Sequence, residues 1–355
     1  MAIELRDLLL TSIHQNASDL HLTNAMPPVL RIDGELVPMA GEVFTDEILK
    51  KMIYGCLTDT QKVQFEEEKE LDFSLALMGL DRFRVNVHQQ RGCVEAAFRR
   101  IPLFIPTIEE LQLPQVVSAL ARKQNGLVLV TGPTGMGKST TLAAMVQLIN
   151  TESQSLIMSI EDPIEFLHSN KKAIIKQREV YKDTHSFAEA LKRCLRQDPD
   201  VIVVGEMRDL ETISTVLTAA ETGHLVLATL HTPDAPQTIE RIIDVFPPYQ
   251  QQQVRQQLAS SLQGVISQRL MPRASGRGRA LGLEIMVATP AIRNMIREQA
   301  IEQIPTAMQT GAQFGMKTMD RSLKELVESG QITLDTALTH AKNVEELRQF
   351  LKFPR

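Results

Sequence analysis

Gly132-Pro133-Thr134-Gly135-Met136-Gly137-Lys138-Ser139-Thr140 is the stretch of this sequence best equipped for chemistry. It has the spacing GxxxxGK[ST], with an apolar run, Leu127 to Val130, before it and helix-forming Thr141 to Leu148 after it. Glycines let such a loop curl until backbone N–H groups and a helix N-terminus converge on phosphate oxygens. Lys138 is then placed to hold the β and γ phosphates, and Ser139 to ligate Mg²⁺. The pattern predicts a site for ATP with Mg²⁺ as its cofactor.

Polar groups at the carboxyl ends of neighbouring strands should complete such a site. Three apolar runs deliver them. SLIMSI ends in Glu161-Asp162-Pro163-Ile164-Glu165, DVIVVG ends in Glu206, and LVLATL ends in His231, with His224 just ahead of that last run. One carboxylate near a γ-phosphate can orient or deprotonate water, and one near the metal can hold it through its hydration shell. Glu165 and Glu206 are the candidates, with Lys138, for the catalytic set, and Ser139 and Glu206 for the metal. An Asp is usual at the metal-binding strand end, yet here the position is Gly205 followed by Glu206, so which carboxylate serves Mg²⁺ and which serves water stays open. His224 and His231 are candidates for sensing the γ-phosphate or placing loops.

No arginine lies close in sequence to the phosphate loop. Arg82, Arg84, Arg91, Arg99 and Arg100 cluster in the first hundred residues, and Arg82 and Arg84, two apart on a strand, point to one face. A planar, always-charged guanidinium suits phosphate. Arg82, Arg84 and Arg99 are therefore expected to act in trans, from one subunit onto the site of the next.

The elements needed to position these groups are readable too. Residues 1–100 have the texture of an α+β domain: Asp33-Gly34 between apolar segments signals a hairpin, Asp46–Leu57 and Asp59–Lys69 have helical spacing with Asp at each start, and Phe73, Leu75 and Leu77, then Phe83, Val85 and Val87, alternate as strands do. Residues 101–107, with Pro102 and Pro106, form the expected linker. Residues 108–289 are the expected second domain, where from Gly126 onward unalternated runs (GLVLVT, SLIMSIED, DVIVVGE, HLVLATLHT) interleave with helices, the pattern of parallel strands buried on both faces. After Pro247-Pro248 the pattern becomes mostly helical, apart from a strand at Ala280–Val287, and residues 290–355 read as a tail of short amphipathic helices. The fold class is α/β.

Composition narrows the field. The 355 residues, 43% apolar and 23% charged, suit two globular domains, and no run approaches the roughly 18 apolar residues of a membrane helix. Charged Glu4, Arg6 and Asp7 interrupt the N-terminus where a secretory signal needs an apolar stretch, so a cytoplasmic protein without membrane insertion is expected. The net charge of −5, the absence of Trp and 4% aromatics argue against nucleic acid as a partner. Cys56, Cys93 and Cys194, unpaired in spacing, read as small buried hydrophobes.

Taken in order, ASDLHL (Ala17–Leu22), RFRVN (Arg82–Asn86), GPTGMGKST, EDPIEF (Glu161–Phe166), QREV (Gln177–Val180), GEMRDLET (Gly205–Thr212) and TGHLVLATLHT (Thr222–Thr232) resemble the secretion-superfamily ATPases of the PilT type, the motors that retract type IV pili. The resemblance spans nearly the whole chain. It implies a PAS-like N-terminal domain, a RecA-like ATPase domain and a homo-hexamer with ATP bound between domains and against the next subunit. It also implies work on an inner-membrane pilus platform protein (PilC-like) from the cytoplasmic face, with an accessory paralogous ATPase as a further candidate partner. AIRNMIRE (Ala291–Glu298) is similar to a C-terminal element of retraction motors, its Ile292, Met295 and Ile296 sharing one helical face. Assembly and secretion relatives generally carry a longer N-terminal region and a four-cysteine zinc element, which favours retraction over extension. Rival readings are the accessory retraction ATPase (PilU-like) or a pilus assembly or type II secretion ATPase and, from other classes, a RecA-like DNA-dependent ATPase and a nucleotide-gated scaffold with little turnover.

Overall fold

The computed structural model describes residues 4–76, 81–101 and 104–351. Leu77 and Pro102, assigned above to a strand and to the linker, lie outside them. The chain divides into two compact units, Met1–Phe104 and Ile105–Arg355.

In the first unit, α1 (Leu5–His14), β1 (Asp19–Leu22), β2 (Val29–Ile32), β3 (Glu35–Pro38), α2 (Asp46–Tyr54), α3 (Asp59–Glu68), β4 (Glu70–Ala76), β5 (Arg82–Gln90) and β6 (Cys93–Ile101) follow in order. The six strands form one antiparallel sheet, β3-β2-β1-β6-β5-β4. The β2–β3 hairpin turns on Asp33 and Gly34, both at positive φ, as a two-residue turn of this chemistry requires. Alternation puts Phe83, Val85, Val87 and Phe98 into a core shared with Leu9, Leu49, Ile53 and Phe65 of the helices. Arg82 and Arg84 consequently project from the opposite face. The helix starts differ from expectation in detail: Thr45 and Thr58 are the capping residues, their hydroxyls accepting the N–H of Ile48 and Gln61, while Asp46 and Asp59 sit in the first turns. Cys56 and Cys93 are only partly buried, unlike Cys194.

The second unit runs α4 (Gln115–Ala121), β7 (Gly126–Thr131), α5 (Lys138–Glu152), β8 (Leu156–Glu161), β9 (Ile174–Glu179), α6 (Phe187–Cys194), β10 (Val201–Val204), α7 (Leu210–Glu221), β11 (Leu225–Leu230), α8 (Ala235–Asp244), α9 (Pro248–Ser261), β12 (Leu262–Pro272) and β13 (Arg279–Val287). Short helices α10 (Pro290–Arg297), α11 (Ile304–Thr310), α12 (Met319–Glu328), α13 (Leu334–His340) and α14 (Val344–Phe350) complete it. Its sheet has the order β13-β12-β7-β11-β10-β8-β9, parallel except for β13. The strands β7, β10 and β11 are buried at every residue, which is why their sequences do not alternate.

Three strands escaped the sequence reading: β6, β9 and β12. Helix α9 passes directly into β12 at Leu262 with no Gly or Pro between them, so the helical pattern hides the boundary. The polar strand β9, at the sheet edge, has no apolar run to announce it. The apolar face of α10 is consumed at home: Ile292 and Ile296 are fully buried in the core that also holds Leu258 and Val265. Among the described residues no helix is long and apolar enough to cross a membrane.

Candidate active site

The phosphate loop leaves β7 at Thr131 and enters α5 at Lys138. Its first glycine is dictated by space: Gly132 sits at φ +137°, and a Cβ there would lie 2.4 Å from the Gln268 carbonyl oxygen of β12. Gly137, at φ +79°, makes the left-handed turn into the helix.

Lys138 is buried, and its ammonium donates to the carbonyls of Gly132 (2.8 Å) and Pro133 (3.0 Å). Its Nζ also lies 3.4 Å from His231 Nδ1. Since an ammonium can only donate, Nδ1 accepts, so His231 carries its proton on Nε2 and gives it to Glu206 Oε1 at 2.9 Å. Arg208 holds the other Glu206 oxygen at 2.7 Å. One hydrogen-bonded chain thus links lysine, histidine, glutamate and arginine. Burial lowers the Lys138 pKa, against the pull of Glu206 and Glu165. Burial alone would raise that of Glu206, yet the hydrogen bonds from Arg208 and His231 hold it below the usual carboxylate range. Glu206 therefore stays charged.

The strand ends explain how this chain of contacts is aimed. Strands β8, β10, β11 and β7 run in register, and Glu161, Glu206, His231 and the loop leave at their carboxyl ends. The Thr229 hydroxyl donates to the Gly205 carbonyl and the Met207 N–H to the Thr229 carbonyl, which fixes Glu206 between them. At Gly205 the backbone runs close to β8: a Cβ there would come within 3.2 Å of the Glu161 Cα, a tight contact. Glu206 is free of capping duty because Asp209 caps α7, accepting from the Thr212 N–H at 2.8 Å.

Glu165 is exposed between buried Ile164 and Phe166, in the loop after β8. Glu161 is instead enclosed: burial raises its pKa, opposed by hydrogen bonds from Ser159 (2.6 Å) and Gln177 (3.1 Å). Oxygen donors suit Mg²⁺, which keeps several waters and takes one or two carboxylates beside phosphate oxygens. The Ser139 hydroxyl and the Glu206 carboxylate fit that requirement. No group of three or more His, Cys, Asp or Glu side chains among the described residues could hold a metal alone.

Within the second unit, His224 lies away from this place. His224 precedes β11 at its amino end, beside Gly126, roughly 20 Å from His231 at ~3.3 Å per strand residue. There its ring contacts the Ala219 carbonyl (3.0 Å) and the Thr222 hydroxyl (3.3 Å), finishing α7. Arg84 and Arg99 belong to the first unit, directly opposite each other on β5 and β6. Arg99 pairs with Asp19 at 2.8 Å and Arg84 lies 3.9 Å from Asp72, while Arg82 sits opposite Ala76 and Ile101. Two arginines of the second unit, remote in sequence from the phosphate loop, reach the site: Arg208, and Arg279, whose guanidinium donates to the Gly135 carbonyl at 3.2 Å. The sequence reading missed both; GEMRD contains the first, whereas nothing near Arg279 marks the second.

A family model described as "Type II/IV secretion system protein" matches residues 106–349. The chain is 49% identical to the type IV pilus retraction ATPase PilT of Pseudomonas aeruginosa, over 96% of this chain and 98% of that protein. To the type IV pilus ATPase PilU of the same organism it is 40% identical, over 99% and 92%. A crystal structure of the pilus retraction motor PilT with bound ADP aligns with a TM-score of 0.89 at 46% identity, covering 98% of this chain and 99% of that one. The chain belongs to the type II/IV secretion system protein family.

Proposed function

We propose that this protein is an ATPase that powers type IV pilus retraction, working as a homo-hexameric ring on an inner-membrane platform protein from the cytoplasmic side. The observation that carries the chemistry is the chain from Lys138 through His231 to Glu206, laid across the carboxyl ends of adjoining parallel strands. Its likeness to PilT, whose structure holds ADP, supports the nucleotide. The higher identity to PilT than to PilU favours the retraction motor over its accessory paralogue.

In this reading Lys138 exchanges its two loop carbonyls for β and γ phosphate oxygens, stronger acceptors for an ammonium. His231 Nδ1 then keeps the hydroxyl of Thr134, a loop residue 3.3 Å away, which ties the imidazole to the phosphate loop. Ser139 and Glu206 would hold Mg²⁺ beside the phosphates, and the ion would supply neutralisation of the developing negative charge. Glu165 and Glu206 share the work of orienting water and serving the metal. The first unit is read as PAS-like and the second as RecA-like; the linker expected at 101–107 starts one residue later, because Ile101 is the last residue of β6, paired with Arg82. Arg84 and Arg99 stand side by side on a strand pair, each beside a carboxylate of its own unit (Asp72 and Asp19), which a phosphate would have to displace. They and Arg82 are assigned to the γ-phosphate of the neighbouring subunit.

Two substitutions test the site. Lys138→Ala should weaken ATP binding at least about tenfold. Glu206→Gln should bind ATP normally yet lose about 10²–10⁴-fold in turnover. Wild-type turnover in the Glu206 variant would remove that residue from the mechanism.

A further inference from the structure

The QREV element, singled out by sequence but given no task above, lies on the edge strand β9 beside the loop that carries Glu165. Gln177 is a partly buried amide that uses all of its polarity on that loop. Its Nε2 donates to the Phe166 carbonyl at 2.7 Å and to Glu161 Oε1 at 3.1 Å, and its Oε1 accepts the His168 N–H at 2.9 Å. Two residues on, Glu179 of the same strand face accepts the Ile164 N–H at 3.3 Å. Glu161, held by Ser159 and Gln177 through one oxygen, accepts the N–H of Glu165 itself at 3.4 Å through the other.

We infer that Gln177 is a positioning residue for Glu165: with Glu161 and Glu179 it clamps residues 161–168 so that Ile164 and Phe166 are anchored inward and Glu165 is held outward. The parallel register makes this possible, since Ser159 stands opposite Gln177 and Glu161 opposite Glu179, one strand over from the catalytic strand ends. A backbone run of this kind has few ways to satisfy its N–H and C=O groups without a ladder partner, and Gln177 offers two donors and an acceptor from a single rigid plane. None of its contacts reaches the phosphate loop. Losing the clamp should therefore disturb the chemical step and spare nucleotide binding.

The inference rests on the catalytic reading of Glu165, and the experiment separates the two. ATP turnover and equilibrium ADP binding are measured in the assembled full-length protein for Gln177→Leu, Gln177→Glu, Glu165→Gln and the Gln177→Leu/Glu165→Gln double variant. The Glu substitution keeps the shape and the acceptor while removing both donors, so it carries the test should the Leu variant fold poorly. The expected result is a kcat lower by on the order of ten- to a hundredfold in both Gln177 variants, as for a catalytic group misplaced by about 1 Å. ADP affinity should stay within about twofold of wild type, and the double variant should be no slower than Glu165→Gln alone, because residues acting as one unit are not additive. Slow Glu165→Gln with wild-type turnover in both Gln177 variants overturns the clamp and leaves Glu165 in place. Full additivity, or equal losses in binding and turnover, also overturns it, by making Gln177 a structural residue. Wild-type turnover in Glu165→Gln removes Glu165 from catalysis and the inference with it.

Discussion

Gly132 shows how closely the site depends on single residues. Its backbone, at φ +137°, passes so near the Gln268 carbonyl that any side chain must move β12 or unwind the loop. A strained non-glycine residue costs on the order of 1–3 kcal/mol before any contact is counted. Gly132→Ala is therefore expected to weaken nucleotide binding by about tenfold or more; titration with ADP that returned wild-type affinity would show the loop tolerates the shift. At this scale the loop itself was legible in sequence, because its parts are contiguous and its glycines have local reasons. The partners Arg208, Arg279 and Gln177 were not legible, because each meets the site by strand register or by a turn of the fold, and neither is encoded in spacing along the chain.

Among the elements, the loop between β8 and β9 carries a built-in sensitivity to acid. His168 is largely buried, its Nδ1 has no hydrogen-bond partner, and burial, with Lys171 adding to it, pushes its pKa down to about 4. Above the ordinary value of 6.5 the imidazole is neutral whether the chain is folded or not. As pH falls below that value the unfolded chain takes up a proton that the folded chain refuses, so stability declines down to about pH 4. The loss attributable to His168 is about 2 kcal/mol at about pH 5. Urea unfolding at about pH 7.5 and about pH 5 should show His168→Leu losing less stability over that interval than wild type; identical losses would assign the acid sensitivity elsewhere. Elements were read well where one rule governed them. The buried strands β7, β10 and β11 declared themselves by unbroken apolar runs, and the β2–β3 hairpin by Asp33-Gly34. Strand β12 was lost because helix α9 runs into it without punctuation, and β9 because a polar edge strand has no apolar signature.

For the whole molecule, the retraction reading proposed above requires a neighbouring subunit to complete each site. The phosphate loop, His231 and Glu206 assemble within one chain, but the arginine pair Arg84 and Arg99 stands on the other compact unit. A ring that brings one chain's arginines to the next chain's γ-phosphate gives each hydrolysis event a mechanical partner. Mg-dependent ATP turnover per chain, followed across a protein concentration series with mass from light scattering on the same samples and Lys138→Ala as the inactive control, tests this most directly. Sites completed between subunits predict turnover per chain that climbs as rings form. Isolated monomers hydrolysing ATP at the rate of the assembled ring would contradict it.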